Sequence, residues 1–131
     1  MKGFAVFPVG TVRARRAPHT GREESDILTS TLEIFPEWSE AAEDIKEGDR
    51  ILVLFRFHLS EAVPCKVHPK GDRCRPLKGV FSTRSPKRPN FIGCTACLVT
   101  KRTGLSFEVE GLDALDGSPI LDIKPCLEES W

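Results

Sequence analysis

The chain has 131 residues, is 40% hydrophobic and 29% charged, and balances 19 Lys and Arg against 19 Asp and Glu. That is one domain, long enough to bury roughly 70% of its unfolded surface without disulfide or metal staples, and its apolar content excludes a disordered class. The longest apolar run, Ile51 to Phe55, falls far short of the ~20 residues a bilayer-crossing helix needs, and the start of the chain reaches Arg13 without a secretory leader. The expectation is a soluble, cytoplasmic protein with no membrane partner.

Strand signals dominate in chain order, over residues 4–12, 29–34, 50–59, 78–81, 95–101, 105–112 and 120–124. One helix is expected between the second and third: Pro36 opens it, Trp38, Ala41, Ala42 and Ile45 recur at helical spacing, and Gly48 stops it. In the third strand Ile51, Val53, Phe55, Phe57 and Leu59 form one apolar face, while Arg56 and His58 share the other, as at the rim of a pocket. Leu105-Ser-Phe107-Glu-Val109-Glu alternates as a half-buried strand should, behind an Arg102-Thr103-Gly104 hairpin turn. The fold class that follows is all-β: a single antiparallel β-barrel of about seven strands with one short helix, spanning residues 1–131. No strand–helix alternation and no G-x-G-x-x-G occurs, so this is not a Rossmann domain.

The five cysteines do not make a disulfide framework, and Cys94-Thr-Ala-Cys97 is a poor metal or redox motif. Its two side chains point to opposite faces of a strand from Cα atoms about 10 Å apart, a geometry that can neither close a disulfide nor share a metal. No metal site is expected.

The zero net charge hides segregation. Residues 65–90 carry Lys66, Lys70, Arg73, Arg75, Lys78, Arg84, Lys87 and Arg88 against Asp72 alone, and the expected helix is acidic. The basic stretch is either a solvated loop or an anion-binding surface, and with Arg13, Arg15 and Arg16 beside it a nucleic acid is the common partner. Within it, Gly79-Val-Phe-Ser-Thr-Arg-Ser-Pro-Lys-Arg-Pro-Asn-Phe-Ile-Gly93 places hydroxyls and two arginines on a proline-stiffened loop suited to a carboxylate or phosphate. The plainer reading is a surface turn or a proline-rich ligand. Asp116-Gly117-Ser118-Pro119 makes a tight turn whose backbone and acid could receive a ribose, an adenine edge or a cation, or serve structure alone, and Asp122 and Lys124 fall on one strand face where they can pair.

Four segments together, VGTVR, ILVLFRFH, GVFSTRSPKRPNFIG and LDALDGSPILDIKP, resemble the TsaA-like or TrmO family of tRNA methyltransferases, in order and over nearly the whole chain. The resemblance implies an antiparallel barrel that binds S-adenosyl-L-methionine without a Rossmann fold, usually as a homodimer. It implies methylation of the exocyclic amino nitrogen of threonylcarbamoyladenosine beside the tRNA anticodon. By the family's pattern the cofactor site draws on His58, Leu59 and Ser60, on Arg84, Arg88 and Asn90, on Asp116, Gly117, Ser118 and Pro119, and on a contact near Cys97. The tRNA phosphates would meet Arg13, Arg15, Arg16, Lys66, Lys70, Arg73, Arg75 and Lys87. No catalytic residue is assigned, although His58 is a candidate proton acceptor. The chain departs from the pattern at Phe91, where the family usually has proline, and at Cys126, where it usually has an aromatic residue. It also ends at Trp131, without the additional C-terminal domain of many bacterial members. Two other readings are a small-molecule methyltransferase on the same barrel and a non-enzymatic S-adenosylmethionine or RNA binder.

Overall fold

A computed structural model describes residues 2–14, 28–57 and 65–127. Six strands close an antiparallel barrel: β1 (Gly10–Ala14), β2 (Thr29–Ile34), β3 (Arg50–Arg56), β6 (Ile92–Thr103), β7 (Ser106–Glu110) and β8 (Pro119–Pro125). The order around the ring is β1, β2, β7, β6, β3, β8. A separate two-stranded ribbon pairs β4 (Lys66–Val67) with β5 (Lys78–Gly79). The barrel class expected from alternation holds, but the 78–81 strand belongs to this ribbon and shortens to two residues before a 3-10 turn at Val80–Ser82.

The strands form where side chains alternate. In β3 Ile51, Val53 and Phe55 are buried between more exposed neighbours, and β7 buries Phe107 and Val109 in the same way. With Val12, Leu32, Val99, Leu112 and Ile120 these side chains fill the barrel. Register shifts at Leu54/Phe55 and Val99/Lys101 act as bulges, bending long strands so that the ring can close. Gly10 is required where β1 crosses close to β2, because a Cβ there would run into the Glu33 carbonyl.

The expected helix is not α-helical. Pro36–Trp38 is a 3-10 turn, and the stretch continues as turns closed mostly by i to i+3 bonds, Ile45 N–H to Ala42 O at 3.2 Å among them, with Ala42 N–H shared between Ser39 O and Trp38 O at 3.2 Å each. Two causes are visible. Acidic neighbours at Glu37, Glu40, Glu43, Asp44 and Glu47 repel one another along a helix. The Arg102 guanidinium, from the far end of β6, also donates through Nη1 to the carbonyls of Ala42, Glu43 and Ile45 at 3.0, 3.0 and 2.6 Å. The face read from the sequence holds in part, since Ala42 is buried and Trp38 and Ile45 pack on the core, whereas Ala41 is exposed. Arg102 also lies 4.7 Å from the centre of the Phe107 ring. Arg102→Ala is expected to cost about 2 kcal/mol, seen as a lower midpoint in thermal unfolding, because three carbonyls lose a charged donor at once.

Cys97 faces the barrel interior from β6 while Cys94 is only half-buried, as the strand period requires. Burial pushes the Cys97 thiol up to about 12, with nearby Cys126 adding and Arg50 opposing. Alkylation at pH 8 should therefore label exposed Cys65 and Cys74 first and Cys97 last by peptide mass spectrometry. A folded-state value above the unfolded 9.0 means the contribution to stability is complete below pH 9 and is lost as pH rises through about 12.

Candidate functional site

Pairing places three chain segments at one end of the barrel. Ala14 lies opposite Ser30, Phe55 lies opposite both Gly93 and Ile120, and Thr29 lies opposite Glu110. The ends of β1, β3 and β7 and the starts of β2, β6 and β8 therefore lie together at this end. The acidic 35–49 connection and the β6–β7 turn lie at the other end, so charge is divided along the barrel axis. The motifs that are far apart in the sequence converge here. His58, Leu59, Ser60, Arg15 and Arg16 lie outside the described residues.

The loop from Val80 to Phe91 is held by its own side chains. Buried Val80 anchors it, and its carbonyl accepts from Thr83 Oγ1 at 2.9 Å. Ser85 N–H donates to Thr83 Oγ1 at 3.3 Å and Lys87 N–H to Ser85 Oγ at 3.2 Å. Arg88 pins the inside of the turn: Nη1 donates to Thr83 O at 2.9 Å and Ser85 O at 3.2 Å, and Nη2 to Val80 O at 3.4 Å. The proline-stiffened stretch is thus two 3-10 turns joined through extended Thr83 and Arg88. Asn90 and Phe91 both have positive φ, 65° and 53°. A proline ring fixes φ near −65° and could not occupy the Phe91 position on this backbone. The Phe91 carbonyl is in turn held by Phe57 N–H at 2.7 Å.

Beneath this loop opens a cavity of about 560 Å³, lined by Phe55, Phe57, Phe81, Thr83, Arg84, Arg88, Ile92, Gly93, Cys94, Thr95, Ala96 and Asp113. Its floor is the edge-to-face pair of Phe55 and Phe57, with ring centres 5.1 Å apart. Gly93 makes room for both rings. Arg84 reaches over β6 and donates from Nη1 to Cys94 O at 2.8 Å. Asp113 reaches the same strand from the β7–β8 connection and accepts from Thr95 Oγ1 at 2.9 Å. The size and the mix of apolar floor and few polar groups are those of a small-ligand site.

Of the expected site residues, Arg84 and Arg88 line this cavity. Exposed Asn90 lies in the loop exit, and the Cys97 side chain belongs to the core. The Asp116–Pro119 turn sits at the same end but is fastened to β1. Asp116 Oδ1 accepts from Ala14 N–H at 3.0 Å, Gly117 N–H donates to Val12 O at 2.8 Å, and Ser118 Oγ donates to Leu115 O at 2.7 Å. Asp113 was not singled out from the sequence. The only signal for it was its place in the same Asp-rich segment.

The basic residues form two clefts on either side of Ser85 and Pro86. One, about 400 Å³, gathers Lys70, Arg75, Lys78 and Arg84 with Ser82 and Thr83; the other, about 480 Å³, gathers Lys66, Arg73 and Lys87. His68 faces both, with Nδ1 donating to Arg75 O at 2.8 Å. Arg75 also pairs with Asp72 at 3.6 Å, and Arg13 with Glu33 at 3.2 Å. Asp122 and Lys124 do pair, at 2.8 Å, and this hydrogen bond holds the Lys124 pKa above its ordinary value. At the opposite end a groove of about 780 Å³ runs past Trp38, Ile45 and Cys126, rimmed by Asp44 and Asp49. Among the described residues, no cluster of His, Cys, Asp and Glu could hold a metal, and no helix is long and apolar enough to cross a membrane.

A closed antiparallel barrel with an arginine-walled cavity at the end where its connections meet defines a ligand-binding barrel of non-Rossmann type. The chain belongs to the TrmO family: the profile of the tRNA-methyltransferase O N-terminal domain matches residues 12–130. It is 44% identical over 130 residues to a probable S-adenosyl-L-methionine-binding protein of Methanothermobacter thermautotrophicus, covering 95% of this chain and 90% of that one. It is 40% identical over 86 residues to the human tRNA (adenine(37)-N6)-methyltransferase, covering 65% of this chain and 20% of the human protein. The crystal structure of TrmO from Pseudomonas aeruginosa matches with a TM-score of 0.73 at 29% identity, over 96% of this chain and 57% of that chain.

Proposed function

We propose that the protein is an S-adenosyl-L-methionine-dependent tRNA methyltransferase whose acceptor is the exocyclic amino nitrogen of threonylcarbamoyladenosine next to the anticodon. The observation that carries this reading is the cavity beneath the Arg84–Arg88 loop, at the barrel end where the family's segments converge. Family membership supports the chemistry, as do the printed names of the archaeal and human relatives.

The residues present fit such a cofactor. Arg84 offers a guanidinium for a carboxylate and the Phe55–Phe57 floor is apolar, while the Asp116–Pro119 turn at the same end is fastened to β1 by its own side chain and amide groups. Cofactor contacts are assigned to Arg84, to Asn90, to His58, Leu59 and Ser60 at the end of the third strand, to Asp116–Pro119, and to backbone near Cys97. Arg88 acts by holding the loop's shape. When bound, the cofactor supplies an electrophilic methyl group for in-line displacement by the acceptor nitrogen, which needs neither metal nor covalent nucleophile. The chain's task is to align the two partners and exclude water, and the aromatic floor and the loop roof serve both.

The tRNA backbone is assigned to the paired clefts, with Lys66, Lys70, Arg73, Arg75 and Lys87, and to Arg13, Arg15 and Arg16 at the β1 end. Phosphate contacts of this kind make binding fall with salt. The acceptor base lies in a single-stranded loop and reaches the cavity without duplex opening. The working form is assigned as a cytoplasmic homodimer. Mass spectrometry of nucleosides from a deletion strain tests the reading: methylated threonylcarbamoyladenosine disappears and returns on complementation. An unchanged profile overturns it and leaves a small-molecule enzyme or a binding protein.

A further inference from the structure

We infer that Phe81 is a stacking platform for an unpaired nucleobase at the mouth of the cavity, and so a positioning residue for the RNA acceptor. The residue is 81% exposed and still lines the cavity. Its backbone is fixed on either side. Val80 is buried, its N–H donates to Cys65 O at 2.8 Å, and its carbonyl accepts from Thr83 N–H at 3.1 Å. Phe81 is the middle residue of that 3-10 turn, so the ring is held out toward solvent on a braced support.

A single exposed phenylalanine is ordinary on a protein surface, and two features set this one apart. The first is its place among the aromatic residues. Phe55 and Phe57 form the cavity floor, and exposed Phe4 and Phe7 precede β1, which starts at the acidic end. The second is its surroundings. Ser82, Thr83 and Arg84, which follow it, line the cleft of about 400 Å³ with Lys70, Arg75 and Lys78, and Thr83 and Arg84 line the cavity as well. Cleft and cavity therefore adjoin along the turn that carries the ring. A strand with its phosphates in the cleft passes its bases across Phe81 before one enters the cavity. An aromatic face beside a basic groove suits a single strand, because every unpaired base offers a π-face while duplex bases are already stacked. This inference rests on the tRNA reading above and deepens it, adding a contact that responds to unpaired bases rather than to sequence.

Fluorescence anisotropy on the full chain tests the assignment with two probes: an anticodon stem-loop RNA carrying threonylcarbamoyladenosine, and a fully paired RNA duplex of equal length. Phe81→Ala should weaken stem-loop binding by about 5- to 150-fold and leave both duplex binding and the salt dependence unchanged. Phe81→Leu, apolar but without a π-face, should lose nearly as much, whereas Phe81→Trp should retain the affinity. The thermal midpoint and the calorimetric affinity for S-adenosylmethionine should stay unchanged in all three, since so exposed a ring packs on little. Equal loss for stem-loop and duplex, full recovery by leucine, or no loss at all would each overturn the stacking role. A parallel loss of S-adenosylmethionine affinity would make the ring part of the cofactor wall. A smaller oligomer for Phe81→Ala in light scattering would make it a contact between copies of this chain; either result also overturns the platform. A wild-type protein that binds neither RNA overturns the tRNA reading itself, and the platform with it.

Discussion

Arg88→Ala is expected to weaken S-adenosylmethionine binding by about 10- to 100-fold in calorimetry, although Arg88 spends its donors on the protein rather than on a ligand. Its guanidinium gathers the carbonyls of Thr83, Ser85 and Val80, the inside of the turn that carries Arg84 over the cavity. Removing it takes the donor from the Thr83 and Ser85 carbonyls, while the Val80 carbonyl keeps its bonds from Thr83, so the inside of the turn loses the group that ties it together. Arg88→Lys is the informative companion. A lysine keeps the charge but lacks the planar fork, so it should recover little of the lost affinity if geometry is what matters. Full recovery by lysine would show that net charge, not the carbonyl cluster, is what the loop needs. Because the rest of the loop is tied to Val80 and β6, the thermal midpoint should move far less than the affinity.

Gly93→Val should damage fold and site together. A Cβ at this position would lie 2.7 Å from Cζ of both Phe55 and Phe57. Phe55 is 1% exposed and cannot swing away, so the rings or the β3–β6 pairing must shift. Overpacking of this kind costs about 3 kcal/mol, readable as a lower denaturation midpoint in urea. The displaced rings are also the cavity floor, so cofactor affinity should fall in the fraction that still folds. Unaltered stability and affinity would mean that the two rings have more freedom than their burial implies.

Much of the architecture could be read from particular residues. The alternation of Leu105 to Glu110 gave β7, Gly104 gave its hairpin with φ of 61°, and Gly117 gave the turn before β8 with φ of 84°. What stayed hidden depended on contacts between distant positions. The 36–48 stretch has a helical apolar face, and over so few turns that face hardly differs from a 3-10 one. The deciding group, Arg102, lies 57 to 60 residues away. Of the ribbon only the 78–81 side was read, at twice its length, and its partner Lys66–Val67 was missed, because two-residue strands have no period to detect. At the candidate site the arginine loop was legible as a loop, since proline, hydroxyl and arginine each carry local meaning. Arg88 and Asp113 were not separable by role, because one turns inward on its own turn and the other meets Thr95 across 18 residues.

The division of charge between the two ends has a consequence for how a polyanion first meets this molecule. A chain with no net charge feels little pull from afar, and beyond about 10 Å ordinary salt would mask most of it. What survives at close range is torque: the acidic end is repelled while the lysine-rich end is drawn in, so the barrel turns to present its cavity before contact. Selectivity of approach would then come from orientation during a brief collision rather than from a raised local concentration.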